Sequence, residues 1–131
     1  DFAEGYVVHA LTDLVWFSTI YESFRNSLPA GLGRKERRIL YYQETDQIDF
    51  NLYATMPWRP EVWELLKRAR PLDFNSLLTA EEIRGWQQRV LRWFDEIKEE
   101  PKIQPKYITD EMVQRFITKA VHIIIAWFTA L

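Results

Sequence analysis

A cluster of cations and aromatic rings is the part of this sequence with the clearest chemistry. Four basic side chains and two tyrosines lie close together, at Arg34, Lys35, Arg37, Arg38, Tyr41 and Tyr42. Proteins that bind single strands of nucleic acid combine such cations with rings, because the cations meet phosphates and the rings stack on bases. The same residues are also typical of a solvated helix end that balances acidic turns elsewhere. Both interpretations stay open at this point.

A second basic cluster comprises Lys67, Arg68 and Arg70, in the last turn of a predicted helix, where the dipole favours cations. A nucleic-acid-binding module would use Arg34–Arg38 together with Lys67–Arg70. The whole chain has 17 basic and 19 acidic residues and a net charge of −2, whereas nucleic-acid-binding domains usually carry a basic excess. Nucleic-acid binding is therefore the alternative hypothesis and not the favoured one.

The two histidines, His9 and His122, each lie in a strongly apolar helical segment. Neither has the E-x-x-H or H-E-x-x-H spacing of a metal site, so we expect core or boundary imidazoles with one hydrogen-bond partner each. His122 interrupts the most apolar run of the chain. A second alternative is therefore a small-molecule-binding or enzymatic helical domain with an aromatic pocket near His122.

The carboxylates do not form a recognisable catalytic or metal-binding pattern. Glu44, Asp46 and Asp49 lack the glycine of a calcium loop, so a solvated turn is expected there. Asp95 and Glu96, like other adjacent acidic pairs, point to different sides of a helix, which is poor geometry for shared acid–base work.

Two further absences complete the chemical reading of the sequence. The chain has no cysteine, which excludes disulfides, thiol nucleophiles and cysteine-bound metals, and its glycines form no phosphate-binding loop. We therefore expect a protein that is not an enzyme, with no catalytic, cofactor-binding or metal-binding residues. The lack of cysteine also favours an intracellular location.

Apolar periodicity predicts an all-α fold, a compact bundle of four to five helices in a single domain over residues 1–131. Thr109 is the predicted N-cap of the last helix. Ala120–Leu131 is apolar at every position but His122 and Thr129, so we expect this half to be covered on all sides at the centre of the bundle. This run of 12 residues is shorter than the roughly 20 needed to cross a bilayer, which predicts no membrane span within 1–131.

The neighbours of this central helix are predicted at Ala3–Leu28, with a heptad seam that includes Leu14 and Phe17, and at Thr79–Glu100, which opens with a capping box. A further helix runs from Pro60 to Arg70. The segment Arg34–Tyr42 fits either a helix or a short strand. We favour a helix, because a lone strand would have no partner.

An acidic turn that includes Glu96, Glu99 and Glu100 lies at the predicted end of the Thr79–Glu100 helix. Negative charge is unfavourable there, because it meets the negative end of the helix dipole. Trp58, between two prolines, is expected to be partly exposed. The candidate partner-binding residues are Arg34, Lys35, Arg37, Arg38, Tyr41, Tyr42, Trp58, Glu96, Glu99 and Glu100.

These features favour a non-enzymatic protein–protein interaction or self-association module. The helices are richer in tryptophan and tyrosine than a small bundle easily buries, and a protein partner or a homo-oligomer would cover the remainder. The sequence begins without methionine and stops inside an apolar run. We therefore expect a fragment of a longer protein or assembly.

Overall fold

The structure, a computed structural model, describes residues 2–130 and is all-α. Within that range it contains no β-strand beyond a single bridge pair between Phe74 and Leu78. The six α-helices are α1 (Phe2–Trp16), α2 (Glu22–Ser27), α3 (Arg34–Thr55), α4 (Arg59–Arg68), α5 (Ala80–Leu91) and α6 (Asp110–Thr129). Two single-turn π-helices, Phe17–Tyr21 and Trp93–Ile97, follow α1 and α5. The predicted fold class and the choice of helix for Arg34–Tyr42 are confirmed.

The described part of the chain divides into two compact units. The first comprises residues 2–48 and 103–130, and the second comprises residues 49–102. Helix α3 runs from the first unit into the second. The single domain expected from the sequence stays a prediction. Among residues 2–130, no helix is long and apolar enough to cross a membrane.

The core of the first unit forms where α1, the first π-helix and α2 pack against α6. Trp16 of α1 meets Phe116 of α6 edge to face, with ring centroids 5.0 Å apart. The buried apolar side chains of this unit are Val15, Ile20, Phe24, Ile48, Ile108, Val113, Phe116 and Ala120. Burying large side chains of this kind stabilises the fold by roughly 1.5–3 kcal/mol each.

The π-helix at Phe17–Tyr21 interrupts the long first helix that the heptad seam predicts. The hydroxyls of Ser18 and Thr19 both donate to the carbonyl of Val15, at 3.2 and 2.6 Å, and such bonds compete with the regular helical ladder. One extra residue in a turn rotates the following side chains by about 100°, so the seam does not run unchanged into α2. The prediction that Leu14 and Phe17 belong to a buried seam is wrong: α1 buries Val15 instead, and Leu14, which precedes the π-helix, is 66% exposed.

Helix α6 begins where the sequence predicts, with the hydroxyl of Thr109 accepting a hydrogen bond from the amide of Met112. Its second half is not enclosed. Val121 and Ile125 are 47% and 56% exposed, because α1 packs along one side of α6 and leaves another side open. The expectation that positions 120–131 are covered on all sides is therefore wrong for residues up to 130, while Leu131 lies outside the described residues.

Glu44 of α3 is a buried carboxylate that fixes the chain leading into α6. Only 2% of it is exposed, and it accepts the backbone N–H groups of Lys106, Tyr107 and Ile108 at 2.8, 2.9 and 2.8 Å. One turn further on, the buried amide oxygen of Gln47 accepts the N–H of Ile103. The solvated turn expected at Glu44 is wrong, because buried backbone amides need an acceptor and this carboxylate supplies one.

The second unit is built on stacked rings. Tyr53 lies parallel to Phe94, with centroids 4.2 Å apart, and Trp63 packs against Tyr53 at 5.3 Å. The side-chain amide of Gln87 donates to the terminal carbonyls of α4 at Leu66 and Ala69. Between residues 49 and 102, all of which the structure describes, no side chain is fully buried.

The helix predicted over Thr79–Glu100 starts correctly but ends early. The capping box between Thr79 and Glu82 is present, with both reciprocal hydrogen bonds formed. Helix α5 stops at Leu91, the π-helix continues to Ile97, and Lys98 is extended. The predicted end at Glu100 is therefore wrong.

A basic groove as the candidate functional site

A tight connection between α2 and α3 places basic side chains on two neighbouring helices. Gly31 adopts a φ of +96°, a left-handed conformation that glycine favours. At the start of α3 the carboxylate of Glu36 accepts the N–H of Gly33 at 2.8 Å, and Arg37 Nε donates to the carbonyl of Leu32 at 2.7 Å. These bonds hold the connection.

The two helices and their connection border an open groove of about 970 Å³ in the first unit, which we call the basic groove. Its lining consists of five cations, four aromatic rings and one leucine: Arg25, Arg34, Lys35, Arg37, Arg38, Tyr21, Phe24, Tyr41, Tyr42 and Leu28. Among the residues that the structure describes, no carboxylate belongs to the lining. The lining is therefore both strongly positive and aromatic.

The rings of the groove are held by contacts with one another. The hydroxyl of Tyr41 accepts the indole N–H of Trp16 at 2.8 Å. Its ring meets Tyr21, Phe24 and Tyr42 at angles between 63° and 88°, with centroids 5.3 to 5.6 Å apart. Tyr41 is thus a fixed part of the wall, whereas Tyr42 is 51% exposed and open to a ligand.

The cations of the groove have no acidic partner. None of the five forms an ion pair with a carboxylate of the described residues. The guanidinium of Arg38 lies 5.7 Å from the centre of the Tyr42 ring, and that of Arg25 lies 5.9 Å from the centre of the Tyr21 ring. Cation–π contacts of this kind orient a guanidinium without neutralising its charge.

The structure thus brings together all six members of the basic and aromatic cluster predicted from positions 34–42. Sequence reasoning missed Arg25, Tyr21, Phe24 and Leu28, which reach the groove from α2 and the π-helix before it. A signal for Arg25 existed, because the glycines after Pro29 predict a chain reversal that returns α3 beside the preceding helix.

The second basic cluster belongs to the other unit. Lys67, Arg68 and Arg70 border a smaller depression of about 360 Å³, together with Arg84. Lys67 is already paired with Glu64 at 2.8 Å, a bond that lowers the pKa of the Glu64 carboxyl. This cluster is therefore partly neutralised within its own helix.

Two of the three acidic candidates, Glu99 and Glu100, lie beyond the last helical residue. Glu96 lies in the π-helix and faces Arg92 at 3.6 Å. Asp95 accepts the hydroxyl of Tyr53 at 2.9 Å. Burial and this bond raise the pKa of Tyr53. The predicted acidic last turn is therefore wrong for Glu99 and Glu100, because the helix ends at Ile97, and Glu96 alone remains in the last turn, beside Arg92. Trp58 is 48% exposed, as predicted.

Both histidines are exposed, so the expected core or boundary imidazoles are wrong. His9 faces Asp13 at 3.4 Å along α1. The surface beside His122 is a shallow depression of about 530 Å³ lined entirely by α6, with no aromatic ring. The aromatic pocket expected near His122 is therefore not found there. Within residues 2–130, no group of three His, Cys, Asp or Glu side chains could hold a metal ion.

The first unit presents a second candidate surface, which is apolar. Six large hydrophobic side chains of α1, the π-helix and α6 are substantially exposed and lie within about 120° of one another around their own helices: Phe2, Tyr6, Leu14, Phe17, Val121 and Ile125. We call them the α1–α6 apolar surface. An apolar patch of several hundred Å² on the surface of a protein often marks a site of association.

Comparison with known proteins identifies no relative of this chain. No family model, curated protein or solved structure matches the chain.

Proposed function

We propose that this chain is a non-enzymatic self-association module, which pairs with a second copy of itself through the α1–α6 apolar surface. The observation that carries the proposal is the exposure of Val121 and Ile125 in the half of α6 that has almost no polar side chain. Water solvates such a helix face poorly, and a protein partner would remove it from water.

The exposed rings supply a substantial part of the area that a stable contact needs. The three rings, Phe2, Tyr6 and Phe17, are each roughly half exposed. Because a large aromatic side chain has about 150–250 Å² of surface, these rings alone offer roughly 300 Å² per copy. A standard interface needs about 800 Å² from each partner, and the three aliphatic side chains of the same surface supply part of the remainder.

A second copy fits this surface better than an unrelated partner of opposite charge. The stretch from position 120 to 130 has no Asp, Glu, Lys or Arg, so two copies would meet there without repulsion between such charges. In a two-fold dimer the same patch covers itself, and one mutual contact would satisfy both α6 helices.

Sedimentation over a range of concentrations tests this proposal, using Leu14→Gln and Ile125→Gln. Both side chains are exposed, so neither change leaves a cavity in the monomer. Each removes about 1–1.5 kcal/mol of apolar burial per copy. Since a two-fold dimer contains each position twice, dimerisation should weaken by roughly 30- to 150-fold.

Leu65→Gln is the matched control, because Leu65 is 62% exposed but lies on α4 in the other unit. It should leave dimerisation unchanged. A chain that stays monomeric at high concentration, or a Leu65→Gln effect as large as that of Ile125→Gln, would overturn the proposal.

A further inference from the structure

Beyond self-association, we infer that the basic groove binds single-stranded nucleic acid, with its cations on successive phosphates and Tyr42 against an unstacked base. The groove and the α1–α6 apolar surface have no residue in common, so the two functions can be tested separately.

The charge distribution is the first support. Five cations line the groove although the net charge of the whole chain is −2, so the rest of the chain is acidic on balance. The groove therefore attracts an extended polyanion although the chain as a whole is acidic. The groove also contains the first turns of α3, whose free amides add partial positive charge.

The rings distinguish nucleic acid from an acidic protein segment. Carboxylates of a peptide could meet the same cations, but they would make no use of a half-exposed tyrosine with a guanidinium beside it. Unpaired bases stack on both aromatic rings and guanidinium planes. Four of the five cations are arginines, which suit phosphate oxygens because their planar fork can donate two hydrogen bonds at once.

The groove is also organised before any ligand arrives. Tyr41 is held by Trp16 and by three neighbouring rings, and Arg37 is held by the carbonyl of Leu32. A ligand that binds such a wall loses little free energy to ordering the protein. Duplexes are a poorer fit, because their bases are stacked and paired and leave Tyr42 without a partner.

The test measures fluorescence anisotropy of a labelled oligothymidylate of about 12 nucleotides, a length within the usual range for such grooves. If all five cations contact phosphates, the logarithm of the affinity should fall with the logarithm of salt concentration with a slope near −3.5, at about 0.7 per contact on a single strand. Arg34→Ala with Arg38→Ala should reduce that slope by about 1.4.

Tyr42→Leu separates stacking from charge. It keeps an apolar side chain at a half-exposed position, so the fold should survive, and circular dichroism would verify this. Affinity should fall by roughly 5- to 150-fold with the salt slope unchanged. Lys67→Ala with Arg68→Ala, in the other basic cluster, is the matched control and should leave both affinity and slope unaltered.

Two competing ligands decide what the groove recognises. An oligoglutamate of similar length and a DNA duplex should both bind at least tenfold more weakly than the single strand. Equal binding of oligoglutamate, with Tyr42→Leu silent, would assign the groove to an acidic protein segment and overturn the inference. Equal binding of the duplex would show that the groove attracts polyanions in general, and this result too would overturn the inference. Ile125→Gln should bind the strand as the parent does, whatever its oligomeric state.

Discussion

At the scale of single residues, Glu44 shows that position in the fold decides what a carboxylate does. Its neighbours in sequence suggest a solvated acidic turn, but its side chain is buried against three successive amides of residues 106–108. Hydrogen bonds from amides to a carboxylate are stronger than those to a neutral acceptor. Glu44 therefore determines how the linker enters α6.

Replacing Glu44 should destabilise the first unit strongly. Glu44→Ala would leave three amides without an acceptor, and each unsatisfied buried group costs about 1–3 kcal/mol. We expect a loss of at least ~3 kcal/mol in the free energy of unfolding measured by urea titration. Gln43→Ala, at the exposed position just before it, should change that free energy by less than about 0.5 kcal/mol. Similar effects of the two changes would contradict this role for Glu44.

Glu82 should make stability depend on pH through the capping box of α5. The backbone and side-chain hydrogen bonds from Thr79 lower the pKa of its carboxyl below the usual value. A depressed pKa in the folded state means that Glu82 contributes stability above the unfolded pKa of about 4.3. That contribution is lost as the pH falls through the folded pKa. Melting temperatures of the parent should therefore exceed those of Glu82→Gln near pH 6 and converge with them at strongly acidic pH. A difference that does not shrink on acidification would contradict the prediction.

At the scale of helices, local sequence signals predicted where helices begin far better than they predicted which helix faces are exposed. Thr79, Thr109 and the glycines after Pro29 act on amides or turns only a few residues away, so the sequence alone predicts them correctly. The two π-helices were missed. At the first π-helix, the hydroxyls of Ser18 and Thr19 donate hydrogen bonds to the carbonyl of Val15. The periodicity of apolar residues carries no information about such bonds.

The exposure of a helix face could not be predicted in the same way, because it depends on which helices arrive from elsewhere in the chain. Position 44 is buried only because residues 106–108 lie over it, and Ile125 is exposed only because α1 covers a different side of α6. The groove was predicted in part. Its half on α3 is contiguous in sequence, whereas Arg25 and Tyr21 join it through tertiary packing.

Alanine substitutions in the first and second halves of α6 should differ greatly in their effect on stability. Phe116→Ala removes a buried ring and should cost about 3–5 kcal/mol of unfolding free energy. Ile125→Ala removes an exposed side chain and should cost less than about 1 kcal/mol when the protein is dilute enough to be monomeric. Chemical denaturation at low concentration measures both. Comparable losses would mean that the second half of α6 is enclosed after all.

At the scale of the whole molecule, the two units differ in how much side-chain volume they bury. The described residues of the first unit include eight buried apolar side chains, whereas residues 49–102 have none. Local opening requires less free energy where fewer apolar contacts must be broken. The second unit is therefore expected to be the more easily opened part of the described chain.

Amide hydrogen exchange should show this difference directly. Amides around Val113–Ala120 of α6 should exchange slowest, while those of α4 and α5 should exchange through local opening at lower free energy. Mass spectrometry of peptic fragments over a time course provides the measurement. Equal protection of α5 and α6 would indicate that both units open together as one cooperative body.

The hydrogen bond from Trp16 to Tyr41 gives the basic groove its own spectroscopic reporter. The indole N–H belongs to a tryptophan outside the groove lining, but its acceptor is a ring of the groove wall. Proton chemical shifts of indole N–H groups are sensitive to the length of such a bond, and the sequence has only six tryptophans to resolve. In a ¹⁵N-labelled sample, Trp16→Phe would identify the signal by its disappearance. Titration with a ligand should then move that one resonance early, while the resonance of Trp86 in α5 stays in place.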